Sequence, residues 1–440
     1  MKKRKILATL TSAAIMTSIF AAMPLSADAA KTYTPLTGGT TSFDKYLVMD
    51  EGANVPNVSF EYTVDSGTAQ NFNSTNGTIA VYAGPTPQNI VFSGSGITDS
   101  VTTDKKFNIS FTSNDSTTVY SNKPATDYVK NLDSGEKYAK KTASLDFSAV
   151  SFTEPGIYRY IITETNETSA PQGITYDSDS TRVLDVYVVD STTGTTPSLS
   201  VSNYILHASD DTVTFNNTTY GSDGNVVTGS TDSKSQGFTN EYTSHDLTIS
   251  KNVSGNQASK DKYFQFTANI YGAVEGTKYT VSYGNDNNEN TADGNADVDI
   301  AANPNSATTV ITSAVTQPGT LTADSNGTVT GTFYLQNGQR IVIRGLAVDT
   351  KYTITDGKED YKASYTTTDT KDSTAVKADV AANSAGIESD VSVAFTNIRQ
   401  GQIPTGVILS VAAPAVLGII VLAAIILLVV KNRRREAEEE

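Results

Sequence analysis

A pentapeptide that occurs twice, Tyr160-Ile161-Ile162-Thr163-Glu164 and Tyr352-Thr353-Ile354-Thr355-Asp356, constrains this chain more than any other feature. Each copy alternates as a β-strand does, so Tyr160, Ile162 and Glu164 share one face, as do Tyr352, Ile354 and Asp356. Each thus ends an inward apolar row on an acid. A lone buried carboxylate is costly, so each acid needs a partner or must keep its proton. Partners lie upstream: Lys251 sits within the alternating row Leu247, Ile249, Lys251, Val253, and Lys45 within Phe43, Lys45, Leu47. Others lie downstream, where Val391, Val393, Phe395 and Asn397 alternate and Phe395-Thr396-Asn397 repeats Phe238-Thr239-Asn240. The order lysine, acid, asparagine therefore appears twice, each time on apolar strand faces.

The chain is rich in Thr, Ser, Val, Tyr, Asn and Gly, with few sustained helical patterns outside the two ends. This predicts an all-β chain, and its 440 residues suffice for two ordinary domains plus terminal signals. A formal charge of −15 argues against a nucleic-acid partner, which needs a basic face. With no cysteine there are no disulfides, no thiol catalysis, no cysteine–zinc site and no Cys–Gln thioester, so any covalent staple must use other chemistry. His207 and His245 are too few for histidine catalysis or a multi-histidine metal site, and no metal or cofactor is expected. The stretch from Asn285 to Asp299 lacks the acid spacing and closing Glu of a calcium loop and reads as a solvated loop.

In order along the chain, residues 1–30 form an export signal: Lys2 to Lys5 are basic, Ile6 to Ala22 apolar, and Ala27-Asp28-Ala29 offers a small-residue cleavage site. Residues 31–242 make a first half of short strands between turn signals, the mark of a β-sandwich, with polar stretches at 66–123 and 190–235 expected as extra hairpins and loops. Residues 245–399 make a second half, in which Asp324 to Gly327 predicts a tight turn between strands ending near Leu321 and starting near Thr328. A further strand through Phe333 to Leu335 and an Asn337-Gly338 turn follow. The join is short, which favours two domains stacked lengthwise as a rod. Residues 402–440 begin with Gln402-Ile403-Pro404-Thr405-Gly406, followed by an apolar span at 407–430, long enough to cross a bilayer, and the basic cluster Lys431 to Arg435. A plain single-pass anchor accounts for the span and the charges, not for the Pro-Thr-Gly before them. The combination resembles a cell-wall sorting signal, cut by a sortase between Thr405 and Gly406, with Pro in the third place of the pentapeptide instead of the commoner second.

Together these pieces resemble the streptococcal-type backbone pilins, the T-antigen (FctA-like) family of two-domain major pilus subunits. The resemblance rests on Leu145 to Phe152 with Pro155, Gly156 and Tyr158, on Tyr160 to Glu164, on Gly173-Ile174-Thr175-Tyr176-Asp177, on Leu247 to Lys251, on both Phe-Thr-Asn tripeptides and on Gln402 to Gly406. It implies two tandem immunoglobulin-like β-sandwich domains, each with a spontaneous Lys–Asn isopeptide bond assisted by a buried acid. By motif these are Lys45–Asn240 with Glu164 and Lys251–Asn397 with Asp356, the last an Asp where relatives often carry Glu. Burial lowers the pKa of a lysine and raises that of an acid, so the amine can attack while the acid polarises the carboxamide and shuttles protons. This happens once, on self, and is not enzymatic turnover.

The resemblance further implies a fibre of copies joined head to tail by a pilus-class sortase, with minor pilins as further partners. The acceptor lysine falls in the loop before the closing Asn of the first domain, the neighbourhood of Lys234; Lys130, Lys137, Lys140 and Lys141 are the reserves. The competing expectation is a wall-anchored adhesin or minor pilin that uses the same domains and is never polymerised. A secreted hydrolase with a wall anchor lacks any visible Ser–His–acid or metal constellation.

Overall fold

A computed structural model of the protein describes residues 31–401, apart from 75–76, 102–104, 167–169, 209–211, 216–217, 222–236, 286–317 and 373–380. The export signal, Lys234, the Gln402–Gly406 pentapeptide and the apolar span lie outside the described residues, as does nearly all of the Asn285–Asp299 stretch. Among the described residues the regular structure is β-strand, save two single-turn 3-10 segments.

The first half is two facing sheets. One runs in the order Ile174–Thr175, Gly237–Tyr242, Thr40–Asp50, Glu136–Asp146 and Val91–Gly94. The other runs Leu199–His207, Thr181–Asp190, Gly156–Glu164, Val58–Ser66, Lys106–Phe111 and Ile97–Val101. Their inner faces enclose one apolar core, including Phe43, Leu47, Phe60, Tyr160, Ile162 and Phe238. The second half repeats the plan. Its larger sheet is Thr320–Thr322, Lys278–Asn285, Gln339–Ala347, Ser244–Ser254, Val391–Ile398 and Lys362–Thr367, facing Thr328–Leu335, Phe264–Tyr271, Lys351–Asp356 and Ala381–Ser384. The chain is thus all-β, two tandem immunoglobulin-like sandwiches with cores of their own.

In each half the opening and closing strands are parallel neighbours. Thr40–Asp50 pairs with Gly237–Tyr242, and Ser244–Ser254 with Val391–Ile398. Parallel pairing requires a long connection, and here the rest of each sandwich supplies it.

Three local features differ from simple alternation. Residues 45–49 of the opening strand are buried on both faces, because Tyr46 and Val48 pack outward with Tyr138 beneath Val129 and Leu132. The outward Ile157 of the strand ending at Glu164 is likewise covered, by the hairpin Gln70–Ser74 and Gly77–Ala83 drawn from the polar stretch at 66–123. The turn at 324–327 forms, with Asp324 Oδ1 accepting from the Asn326 and Thr328 N–H groups and Gly327 at φ +70°. It is a corner, however, not a hairpin: Thr320–Thr322 pairs with the Lys278–Asn285 strand in one sheet, and Thr328–Leu335 with Phe264–Tyr271 in the other.

The halves meet through residues at strand ends. The Tyr242 hydroxyl donates to the Gly345 carbonyl at 2.9 Å, and Asn54 Nδ2 donates to the Lys278 carbonyl and to Thr280 Oγ1, each at 3.0 Å. Gly345, at φ +77°, lies so close to Ala53 that a Cβ there would come within 2.9 Å of the Ala53 Cα. Only Thr243 separates the closing strand of one half from the opening strand of the next.

Candidate functional site

Strand alternation delivers one polar side chain from each of three strands to the same point of each core. In the first half Lys45 comes from the opening strand, Asn240 from its parallel neighbour and Glu164 from the end of a strand in the facing sheet. All three are buried, Lys45 and Asn240 completely. Lys45 Nζ donates to Glu164 Oε1 at 2.6 Å, and Asn240 Nδ2 donates to the same oxygen at 3.1 Å. A third donor, the Tyr62 hydroxyl, reaches it at 2.7 Å, while Oε2 has no partner. The Asn240 carbonyl oxygen accepts from the Asp177 peptide N–H at 2.8 Å. Phe60 lies under the ammonium, 4.6 Å from Nζ to the ring centroid. Burial in this ring-lined space pushes the Lys45 ammonium down to about 8, opposed by the Glu164 carboxylate. Burial, with Glu164 beside it, pushes the Tyr62 phenol well up, so it stays protonated and donates.

The second half repeats the geometry with fewer donors. Lys251 Nζ meets Asp356 Oδ2 at 2.5 Å, with Phe264 at 4.3 Å from Nζ. Asn397 is completely buried, and neither its Nδ2 nor its Oδ1 completes a hydrogen bond; Asp356 Oδ1 is equally unpartnered. The carboxamide still lies near enough to favour the ionised acid. Burial pushes Asp356 up, opposed chiefly by Lys251, and pushes Lys251 down to about 8, opposed by Asp356. The acid's cross-strand neighbour is Tyr62 in the first half and Phe266 in the second, which explains the missing donor.

The strand register is the same in both halves. Lys45 pairs with Phe238 and Leu47 with Asn240; Lys251 pairs with Phe395 and Val253 with Asn397. Each asparagine therefore stands two residues beyond its lysine, on the same inward face. The structure brings together all three members of each triad named from the sequence. An amine of lowered basicity, a carboxamide and a proton-accepting acid, enclosed by rings and shut off from water, are the components of an acyl transfer from nitrogen to nitrogen.

Sequence reasoning missed Tyr62, Asp177 and Arg182. Tyr62 sits beside Phe60 in an ordinary alternating row and reads as core. Arg182, a cation opening an apolar strand, was the available signal: it is completely buried, donates to Asp177 Oδ2 at 2.7 Å, and lies over the Phe238 ring at 4.4 Å. A second buried ionic group lies on the outer side of the same sheet, where Arg159 binds Asp185 at 2.7 and 2.8 Å and His207 Nε2 stands 3.2 Å from that carboxylate. Among the reserve lysines, Lys130, Lys140 and Lys141 are each held in ion pairs with aspartates, and burial lowers the pKa of Lys137. Among the described residues no cluster of three metal-ligating side chains occurs.

Fold and site together define a class: tandem β-sandwiches, each holding a lysine, an acid and an asparagine in its core. Residues 245–399 match a family model described as a domain of unknown function (DUF7601). In sequence the chain is 27% identical over 289 residues to a protein named Pilin from Streptococcus pyogenes serotype M1, covering 64% of this chain and 68% of that one. Among solved structures it is similar to a major pilin from Streptococcus pyogenes, with 19% identity, a TM-score of 0.44, and coverage of 83% of this chain and 100% of that one. The T-13 major pilin of the same species gives 20% identity, a TM-score of 0.40, and coverage of 83% and 98%. The motif resemblance to streptococcal-type backbone pilins and the named sequence relative thus point the same way.

Proposed function

We propose that this chain is the major structural subunit of a sortase-assembled pilus on a Gram-positive cell surface, stiffened by two self-made isopeptide bonds. Lys45 joins Asn240 with Glu164 assisting, and Lys251 joins Asn397 with Asp356 assisting. The observation that carries this reading is the doubled triad: lysine–acid contacts of 2.6 and 2.5 Å inside two cores, each with an asparagine at the same register offset. In each, the acid takes a proton from the ammonium, the amine attacks the carboxamide carbon and gives up a second proton, and the amide nitrogen receives both and leaves as ammonium. The acid ends as it began, and the chain acts once, on itself. The named pilin relative supports the subunit role and a place outside the cell.

Assembly follows from the terminal signals. A sortase opens the Thr405–Gly406 bond, and Lys234 of another copy takes the acyl group, giving a head-to-tail covalent fibre that ends anchored in the wall. Lys234 stands three residues before the closing strand, among small polar neighbours. Intact mass of the segment from Lys31 to Gly401 tests the first part: a deficit of two ammonia molecules, mapped to the named pairs, is expected, and no deficit overturns self-crosslinking. Replacing Lys234→Ala in the native host tests the second. Loss of high-mass ladders is expected; unchanged ladders would move the acceptor elsewhere, and a parent strain without ladders would favour the unpolymerised adhesin.

A further inference from the structure

The two sites differ in how the asparagine is held, and the difference bears on the reaction. A peptide N–H can meet only the oxygen of a carboxamide, so the 2.8 Å contact from the Asp177 N–H fixes Oδ1 on that side of Asn240. Nδ2 then faces Glu164 at 3.1 Å. The acid therefore stands beside the leaving nitrogen, and the carbonyl is served by another group. That group is anchored. The Asp177 carboxylate accepts from the Thr239 N–H at 2.9 Å and from Arg182 Nη2 at 2.7 Å through Oδ2, and from the Asp179 N–H at 3.0 Å through Oδ1. One residue thus grips two successive positions of the closing strand, Thr239 by its carboxylate and Asn240 by its peptide. In the second site both carboxamide atoms of Asn397 lack a hydrogen-bond partner.

We propose that Asp177 is a catalytic residue of the first bond: its peptide N–H is the oxyanion donor for Asn240, its carboxylate holds that N–H in place, and the second bond closes without such a donor. This rests on the isopeptide reading above. The Lys45 Nζ lone pair forms the bond to Cγ of Asn240, and the carbonyl electron pair moves onto Oδ1, where the Asp177 N–H receives the charge. Collapse breaks the Cγ–Nδ2 bond. Glu164 carries the proton lost by Nζ to Nδ2, and ammonia departs; the atoms balance with no co-reactant. A preorganised donor aimed at a developing oxyanion is worth about a hundred-fold in rate, so the Lys45–Asn240 bond closes ahead of Lys251–Asn397.

The test follows ammonia loss at each pair separately in full-length chain made by cell-free translation, quenched at intervals and mapped by mass. In the unmodified chain the first pair is expected to close first. Exchange of the peptide N–H at position 177 for an ester oxygen, with the side chain kept, is expected to slow the first pair about a hundred-fold and leave the second unchanged. The same exchange at exposed Ser178 serves as the positional control and leaves both rates as they were. Asp177→Asn, which retains the N–H, is expected to slow the first pair less than the ester does. An unchanged first-pair rate in the 177 ester overturns the proposal. So does equal slowing of both pairs, or a larger effect of Asp177→Asn, since either reports folding instead of oxyanion binding. Absence of ammonia loss in the unmodified chain overturns the isopeptide reading as well, and shows before any exchange is made.

Discussion

Lys45 and Lys251 each bring an ammonium into a core closed to solvent, which is tolerable only beside a carboxylate and temporary if the amine is consumed. Glu164→Gln keeps the shape and removes the proton acceptor. We expect that chain to retain one extra ammonia by intact mass and to lose about 5 kcal/mol from the first half, the worth of closing so long a loop. Asn240→Ala leaves Lys45 titratable. Its folded value of about 8 lies below the usual 10.5, so between these the unfolded chain binds more protons and stability rises with pH. The stability gap between parent and Asn240→Ala should therefore narrow from about pH 8 to about pH 10.5 in denaturant titrations; a gap constant with pH would contradict a buried, perturbed lysine. The triads were legible because a charge in an apolar alternating row is conspicuous. Asp177 was not: what it does depends on a main-chain N–H, and a main-chain N–H has no letter in a sequence.

At the level of strands, the period-two pattern gave the faces but not the partners. Nothing in Tyr62 itself says that it stands opposite Glu164; that follows from the pairing of Val58–Ser66 with Gly156–Glu164. Phe266 fills the same place opposite Asp356, so Tyr62→Phe converts one site toward the other. The first bond should still close completely by mass, while in an Asn240→Ala background the hydroxyl's loss should cost about 1 kcal/mol by chemical denaturation. Failure of the bond to form in Tyr62→Phe would make the phenol essential and the two sites dissimilar in kind. The turn at 324–327 shows the complementary limit. Its chemistry was readable from Asp324, Asn326 and Gly327, yet a tight turn serves a hairpin and a corner between sheets equally well. The outward burial of Tyr46 and Val48 was hidden for a similar reason, since the segment that covers them, around Val129 and Leu132, is distant in sequence.

Across the whole molecule, the parallel placement of opening and closing strands sets the direction of load. A pull on the two ends enters one parallel strand and leaves by the other at the opposite pole, so a bond between Lys45 and Asn240 carries it directly. In single-molecule pulling the crosslinked chain should show no lengthening from the segment between those residues, whereas Glu164→Gln should release that segment in a discrete step. Release in both chains would mean that the strands do not bear load through the bond.

With both bonds closed, a protease meets an unusual object. A cut anywhere between Lys45 and Asn240, or between Lys251 and Asn397, creates two new chain ends and leaves the fibre in one piece, because each bond closes its segment into a loop and a covalent path remains round the cut. Between the two bonds a single cut would part the fibre, and that window is the run from Asn240 to Lys251. It is strand throughout but for Thr243, whose N–H is itself donated to the Gly173 carbonyl at 2.8 Å. Proteases need an extended backbone free of partners, so the link between the two bonds is one the sheets already protect.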